Sequence, residues 1–311
     1  MKRLLWLFCV LVLLCGCSPA EKNARQTLFC MDTVMDLQFW GADAQLAVDE
    51  VSSLLRDLEK QWSATKADSV AGKLNQGLEV ELTDTQQSLL DRAEYLSQRT
   101  GGAFHPRLGG VIAQWGFYSK EYRVPEDHEI RQGLAAAQWD LGGVVKGYGG
   151  WQATQLLQGL QIDRAILNLG GNVQTYGSKP NGEPWQIALQ NPAGGEYLGI
   201  IRVYGTMAVV TSGDYQRYFE ENGERYHHII DPKTGKPAKT FLTSVTVISQ
   251  DGLVADALST ALFVMGLDEA TAFWRKSDDF EAIFVADDGT VYATEGVALS
   301  GCDYEVIRRE N

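Results

Sequence analysis

Tyr226-His227-His228-Ile229-Ile230-Asp231-Pro232-Lys233-Thr234-Gly235-Lys236-Pro237 reads as a short strand run into a tight turn. Side chains alternate along a strand, so His227 and His228 point to opposite faces and only one can serve a given pocket. Asp231-Pro232 breaks the strand, and Lys233-Thr234-Gly235 turns it. Upstream, Thr211-Ser212-Gly213-Asp214-Tyr215 is a small polar loop of the kind that lines a ligand pocket. A polar hairpin with one buried histidine accounts for the same residues.

Outward from this stretch, the chain is rich in strands joined by short loops. Strands are expected at 185–190, 197–204, 207–211, 244–249, 281–286 and 291–295. Leu28 to Phe39 reads as one strand with Met31-Asp32-Thr33 inside it, and 165–173 as a buried strand with a glycine turn. Helices are expected over 44–61, where Ala47, Val51, Leu54, Leu55, Leu58 and Trp62 recur at helical spacing. Others should run from the capping box Thr83-x-x-Gln86 to Arg99, from the Asp140 region to about Leu160, from about Asp251 to Met265, and over 269–276. Ser63 to Gly77 reads as a loop. Strands outnumber helices, so the fold class is α+β, with antiparallel-rich sheets packed with helices. No repeat or low-complexity linker divides the chain, which implies one large domain over 28–311.

The amino terminus is a separate element. Met1-Lys2-Arg3 precedes an apolar run, Leu4 to Leu14, too short to span a bilayer as a mature helix. Leu14-Cys15-Gly16-Cys17 resembles a bacterial lipobox. That resemblance implies a signal peptide over 1–16, lipidation of Cys17 and a tether over 17–27. It places the body on the cell membrane, the inner membrane in a double-membraned cell, facing the periplasm. Removing 1–16 takes away Lys2 and Arg3 and no acid, so the formal charge falls from −13 to −15. Such an acidic body makes a poor nucleic-acid binder, because phosphate backbones select for Lys and Arg. Of the five cysteines, only Cys30 and Cys302 remain beyond Cys17, to pair or to stay as thiols.

Three further motifs carry chemistry. Asp140-Leu141-Gly142-Gly143-Val144-Val145-Lys146 opens a helix. Its glycines admit a ligand close to the backbone, its free N–H groups suit an anion, and Lys146 reaches a phosphate. It matches neither the P-loop nor the dinucleotide-binding glycine pattern, and a tight turn with a solvated lysine explains it equally well. Asp256 and Thr260, at i and i+4, share a helix face and supply hard oxygen ligands suited to Mg²⁺. A dipole-compensating Asp and a packed Thr are the alternative. Asn168-Leu169-Gly170-Gly171-Asn172 is either a ligand-facing turn or a hairpin turn.

The order of these motifs is more specific than any one of them. Met31-Asp32-Thr33, Ser63…Asp68-Ser69…Leu74-Asn75, Gly101-Gly102-Ala103-Phe104, Asp140 to Tyr148, Asn168 to Asn172, Thr211-Ser212-Gly213, His228 to Gly235 and Ala255 to Ala261 together resemble the ApbE family. The likeness runs from about residue 28 to 300. It implies a T-fold-like domain and an FAD:protein FMN transferase: a Mg²⁺-dependent enzyme that joins FMN from FAD to a Ser or Thr of an acceptor protein and releases AMP. Carried over residue by residue, Gly143 (through its carbonyl), Asp256 and Thr260 are the metal ligands. Met31, Thr65, Ala103, Phe104, His105, Asp140, Lys146 and Ile230 are contacts to FAD. His228 and Asp256 are the catalytic pair. The acceptor is expected to be a subunit of a membrane redox complex. His105 stands where the family pattern has Asp, and Thr65 where it has an aromatic residue, which bears on FAD affinity. The same site also fits an FAD pyrophosphatase yielding FMN and AMP, and a non-catalytic periplasmic FAD-binding lipoprotein.

Overall fold

The computed structural model describes residues 22–309; the expected signal peptide and Cys17 lie outside them. Every second residue of Thr33–Gly41 is buried, the period of a half-covered strand. In chain order the first elements are β1 (Asn23–Cys30), β2 (Thr33–Gly41), α1 (Ala44–Trp62), α2 (Val70–Asn75), α3 (Asp84–Arg99), α4 (Gly109–Gln114), α5 (Asp127–Ala136) and α6 (Val145–Leu157). Then come β3 (Ile162–Leu169), β4 (Asn172–Tyr176), β5 (Trp185–Leu189), β6 (Gly199–Val203), β7 (Ala208–Gly213), β8 (Tyr218–Glu221), β9 (Glu224–His227), β10 (Ile230–Asp231) and β11 (Lys236–Pro237). The chain closes with β12 (Leu242–Ser249), α7 (Gly252–Arg275), β13 (Phe280–Ala286), β14 (Val291–Thr294), β15 (Leu299–Ser300) and β16 (Glu305–Ile307).

Nine strands form the main sheet in the order β1-β2-β3-β4-β7-β12-β13-β14-β16. All neighbours are antiparallel except β14 and β16. One face is covered by α1, α6 and α7. Met35, Leu37, Leu167 and Leu169 pack there with Val51 and Leu55 of α1, and Val245 and Val247 pack with Leu258 and Leu262 of α7. Part of the other face is covered by the small sheet β15-β6-β5, through Trp185, Ile187 and Ile201. The α+β class expected from the sequence is the one observed. No helix among the described residues is long and apolar enough to cross a membrane.

Antiparallel alternation has a consequence for function. The β1–β2 turn, the β3–β4 turn, the end of β7 and the start of β12 all fall on one rim of the sheet. The motifs at 31–33, 168–172 and 211–213 therefore meet, although they are far apart in the chain.

Four expectations are corrected. Leu28 to Phe39 is a hairpin and not one strand: Met31 and Asp32 are its two-residue turn, both left-handed with φ of 52° and 59°. That conformation matches the twist of paired strands but normally selects Asn-Gly, so Met-Asp carries no turn signature. β1 starts at Asn23, inside the stretch read as tether. The loop after α1 contains α2, capped by Ser69 Oγ accepting from Gly72 N at 2.8 Å. The two helices expected after residue 251 form one element, α7, broken at Gly266 (φ 73°, ψ 172°). Cys30 and Cys302 are both free thiols. Cys30 is buried between β1 and α1, where burial and the Glu59 carboxylate push its thiol up to about 11.

Candidate functional site

The site begins where α6 and α7 cross. A Cβ on Gly147 would lie 2.1 Å from Gly252 O and 2.6 Å from Asp256 Cβ; one on Gly252 would lie 2.4 Å from Gly147 O. Only glycine at both positions lets the backbones touch. The contact puts Gly147 N–H 2.8 Å from Asp256 Oδ2, to which it donates. Asp256 is 4% exposed and has no ion-pair partner among the described residues. One turn on, Thr260 Oγ1 is 3.2 Å from Ser212 Oγ, which is itself 2.8 Å from Ser259 Oγ. A Cβ on Gly143 would come within 3.8 Å of Thr260 Oγ1 and 3.3 Å of the Phe104 ring. Gly143, Asp256 and Thr260 are thus neighbours, contributed by the α6 entry and α7.

The turn before α6 is held from several sides. Asp140 Oδ1 accepts from Gly142 N at 2.7 Å, and Oδ2 accepts from the Tyr118 hydroxyl at 2.8 Å. Burial and the Asp140 charge hold the Tyr118 phenol well above its ordinary value, so it stays a donor. Asn75, at the end of α2, grips Trp139 twice: its Oδ1 accepts from Trp139 N at 2.6 Å and its Nδ2 donates to Trp139 O at 3.0 Å. Asp140 N donates to Pro106 O, which joins this turn to the Ala103-Phe104-His105 segment. Lys146 Nζ lies 3.3 Å from Gly142 O, half-buried in the first turn of α6.

The two histidines part, as expected, although β9 ends at His227 and His228 lies in the bend before β10 rather than in the strand expected from the sequence. His227 is buried edge-on against Phe263, its Nε2 3.0 Å from Ala238 O and its Nδ1 accepting from Ile229 N. Both ring nitrogens are spent on the fold. His228 lies on the opposite side against Phe117, with Nδ1 3.1 Å from Arg217 O. A carbonyl only accepts, so Nδ1 carries the proton and Nε2 carries the lone pair. Burial first, then the positive charge of Arg217 and more weakly that of Lys146, pushes the His228 imidazole down to about 3. The Lys146 contribution places the two side chains in one electrostatic neighbourhood.

The remaining sequence candidates differ in what they offer. Met31 sits in the β1–β2 turn, its N–H donating to Glu59 Oε1 at 3.0 Å. Ala103 and Phe104 are buried in the core beneath Gly143. His105 folds back on its own loop, Nδ1 accepting from Arg107 N, and burial lowers its pKa. Thr65 is exposed, 3.1 Å from Ser63 Oγ. Ile230 is 3% exposed, its side chain packed with Val111, Trp115 and Phe117. Sequence reasoning gave no role to Ser212, Tyr118, Asn75 or Arg217. Ser212 and Asn75 stood within quoted motifs; nothing local marked Tyr118 or Arg217. Asp32 forms ion pairs with Arg217 (2.9 Å) and Lys120 (3.2 Å), clasping the rim to two distant loops.

Hard oxygen donors at a helix crossing, with a lysine in the adjoining turn of α6 whose charge reaches a neutral imidazole, define the class as an α+β protein with groups suited to an anionic, cation-bound ligand. The model of the ApbE family matches residues 31–284, and the chain belongs to that family. It is 32% identical over 294 residues to the FAD:protein FMN transferase of Treponema pallidum, an alignment covering 82% of this chain and 81% of that one. The crystal structure of the ApbE protein of Thermotoga maritima has a TM-score of 0.82 at 30% identity, covering 88% of this chain and 97% of that chain. The flavin transferase ApbE of Vibrio cholerae has a TM-score of 0.77 at 27% identity, covering 88% and 98%.

Proposed function

We propose that this chain is a transferase that moves FMN from FAD to a Ser or Thr hydroxyl of an acceptor protein and releases AMP, with Mg²⁺ as cofactor. The observation that carries the reading is Asp256: a buried carboxylate without an ion-pair partner among the described residues, beside Thr260 and Gly143 and bonded to the N–H of Gly147, the residue after Lys146. Buried charges are paired or coordinate metals. One carboxylate and neutral oxygens are the donor set a hard divalent cation takes. Asp256 Oδ1, the Thr260 hydroxyl and the Gly143 carbonyl would hold Mg²⁺, with Oδ2 fixed by Gly147. When bound, the ion supplies charge neutralisation and Lewis acidity at the diphosphate.

The chain's own groups do the rest. Lys146 sets a positive charge beside the phosphates, and the Asp140 turn, braced by Tyr118 and Asn75, fixes the α6 entry that faces them. The lone pair on His228 Nε2 accepts the proton of the acceptor hydroxyl as its oxygen attacks phosphorus of the FMN half. The bond to the AMP phosphate breaks, and AMP leaves. Binding of an anionic diphosphate offsets the charges that depress His228 and makes it a better base.

Lipidation at Cys17 would hold the body at the outer face of the cell membrane, within reach of an acceptor subunit of a membrane redox complex. The lipobox-like sequence supports that placement.

The test mixes the purified protein with FAD, Mg²⁺ and a domain bearing an acceptor threonine. A fluorescent acceptor band on a denaturing gel, AMP by chromatography, and loss of both with EDTA are expected. AMP without a labelled band would replace the reading with FAD hydrolysis. Bound but uncleaved FAD, with the acceptor labelled by a known transferase, would replace it with a flavin-binding lipoprotein.

A further inference from the structure

The Asn168-Leu169-Gly170-Gly171-Asn172 motif holds two asparagines in different situations. Asn168 is exposed, and its Oδ1 accepts from Gly171 N at 3.1 Å, closing the β3–β4 turn. Asn172 is 5% exposed, and its Nδ2 has no hydrogen-bond partner among the described residues. A buried amide donor left unpaired is costly, and such a group calls for a partner that the chain itself does not supply: water, an ion or a ligand.

Its position is set by the sheet register. Asn172 pairs with Val210, so the two side chains share a face. Val210 packs in the core under α7, and Ser212, two residues on, shares that face and touches Thr260. Gln174, the next residue of β4 on the same face, lies against Gly150 of α6 and Gly252 of α7. Asn172 therefore lies on the rim side of the helix crossing, below the α6 entry that carries Lys146. Gln174 also has an unpaired buried atom, but it is an acceptor, Oε1, which an anion repels. The atom at the rim is a donor.

We propose that Asn172 is a ligand-binding residue whose Nδ2 donates to a phosphate oxygen of the dinucleotide held near Lys146 and Thr260. The proposal rests on the flavin-dinucleotide reading above and assigns its diphosphate a floor contact.

The experiment measures affinity for FAD, and for ADP by competition, with Mg²⁺ present, alongside the unfolding midpoint without ligand. The full chain is used as wild type, Asn172→Ala, Asn172→Asp and Asn172→Leu. Asn172→Ala should bind FAD and ADP about tenfold more weakly, the worth of one hydrogen bond to a charged group. Asn172→Asp keeps the shape and adds a negative charge, so it should bind both more weakly still. Asn172→Leu should raise the ligand-free midpoint while losing affinity, because it removes an unpaired donor. Wild-type affinity in Asn172→Ala, a loss for FAD without one for ADP, or tight binding by Asn172→Asp would each overturn the assignment. A lowered midpoint in Asn172→Leu would mark the amide as structural and overturn it too. If the wild type itself binds no FAD, the flavin reading fails and not the role of Asn172 alone.

Discussion

The two walls of the site are built by different means. On one side α6 and α7 meet through backbone: Gly147 against Gly252, and Asp256 against a main-chain N–H. On the other, β8 to β11 and the loop before α5 meet through side chains. Tyr122 stacks on Phe219 at 5.3 Å and Phe219 on Tyr226 at 5.2 Å, while Trp115 Nε1 donates to Gly235 O at 2.8 Å. Backbone contacts admit almost no adjustment, whereas side chains re-pack. The first wall therefore suits groups that must hold a fixed geometry, Gly143, Asp256 and Thr260. The second suits recognition and proton transfer, where His228 and Arg217 sit.

The largest expected effect comes from Gly147→Ala. The added methyl meets a carbonyl oxygen at 2.1 Å with no flexible side chain to yield, so the helices must separate. We expect a loss of about 3 kcal/mol, the upper end of overpacking costs, read by thermal unfolding, together with loss of FMN transfer. An unchanged midpoint would show that this wall also relaxes. Next, Asp256→Asn keeps the shape and the bond from Gly147 but removes the charge. It should fold with a wild-type midpoint and lose at least about a hundredfold in turnover. Turnover near wild type in that variant would remove Asp256 from the site.

The two histidines, at the end of β9 and in the bend after it, sharpen the contrast between adjacent residues. His227→Ala should destabilise the fold by about 1–3 kcal/mol, since it leaves Ala238 O and Ile229 N without their partner. FMN transfer by the folded fraction should survive. His228→Ala should bind FAD and lose about a hundredfold or more in turnover. Collapse of FAD affinity instead would make His228 a binding residue. The pH dependence follows from the depressed value. Between the ordinary histidine pKa and about 3, the unfolded chain binds a proton at residue 228 that the folded chain does not. Stability is therefore complete above pH ~6.5 and falls as pH drops towards 3, by up to about 1.4 kcal/mol per pH unit. His228→Gln should flatten that slope in acid unfolding curves. His227 and His105, also depressed, add to the slope, and the carboxylates held low by arginine partners, Glu129 by Arg123 and Asp279 by Arg99, add to it at the acid end.

Local physics made much of this legible. The helical spacing from Ala47 to Trp62, the capping box at Thr83 and the turn after Asp231 each depend on residues a few positions apart, and each stands as read. The period of a helix put Asp256 and Thr260 on one face; His227 and His228 do part, but through the bend that ends β9 and not through the period of a strand. What escaped depends on contacts the sequence does not order. Asn75 reaches Trp139 across 64 positions, and Gly147 meets Gly252 only because two helices cross. Met31 and Asp32 were hidden for another reason: their left-handed turn goes against their own preferences and is imposed by the strands, by Glu59 and by the ion pairs of Asp32.

Those ion pairs give the smallest effect and the finest test of the second wall. Asp32 is partly exposed, and solvent screens what it gains from Lys120 and Arg217, so Asp32→Asn should scarcely move the unfolding midpoint. Arg217 also presents the carbonyl that orients His228, so loosening the clasp should lower turnover a few-fold while FAD affinity stays near wild type. Salt separates the electrostatic account from a steric one. At about 1 M ionic strength the screening length shrinks to ~3 Å, and wild type and variant should converge in turnover. A difference that persists at high salt would mean that the Asp32 turn acts through its backbone shape, and that the side-chain wall is stiffer at this corner than its contacts imply.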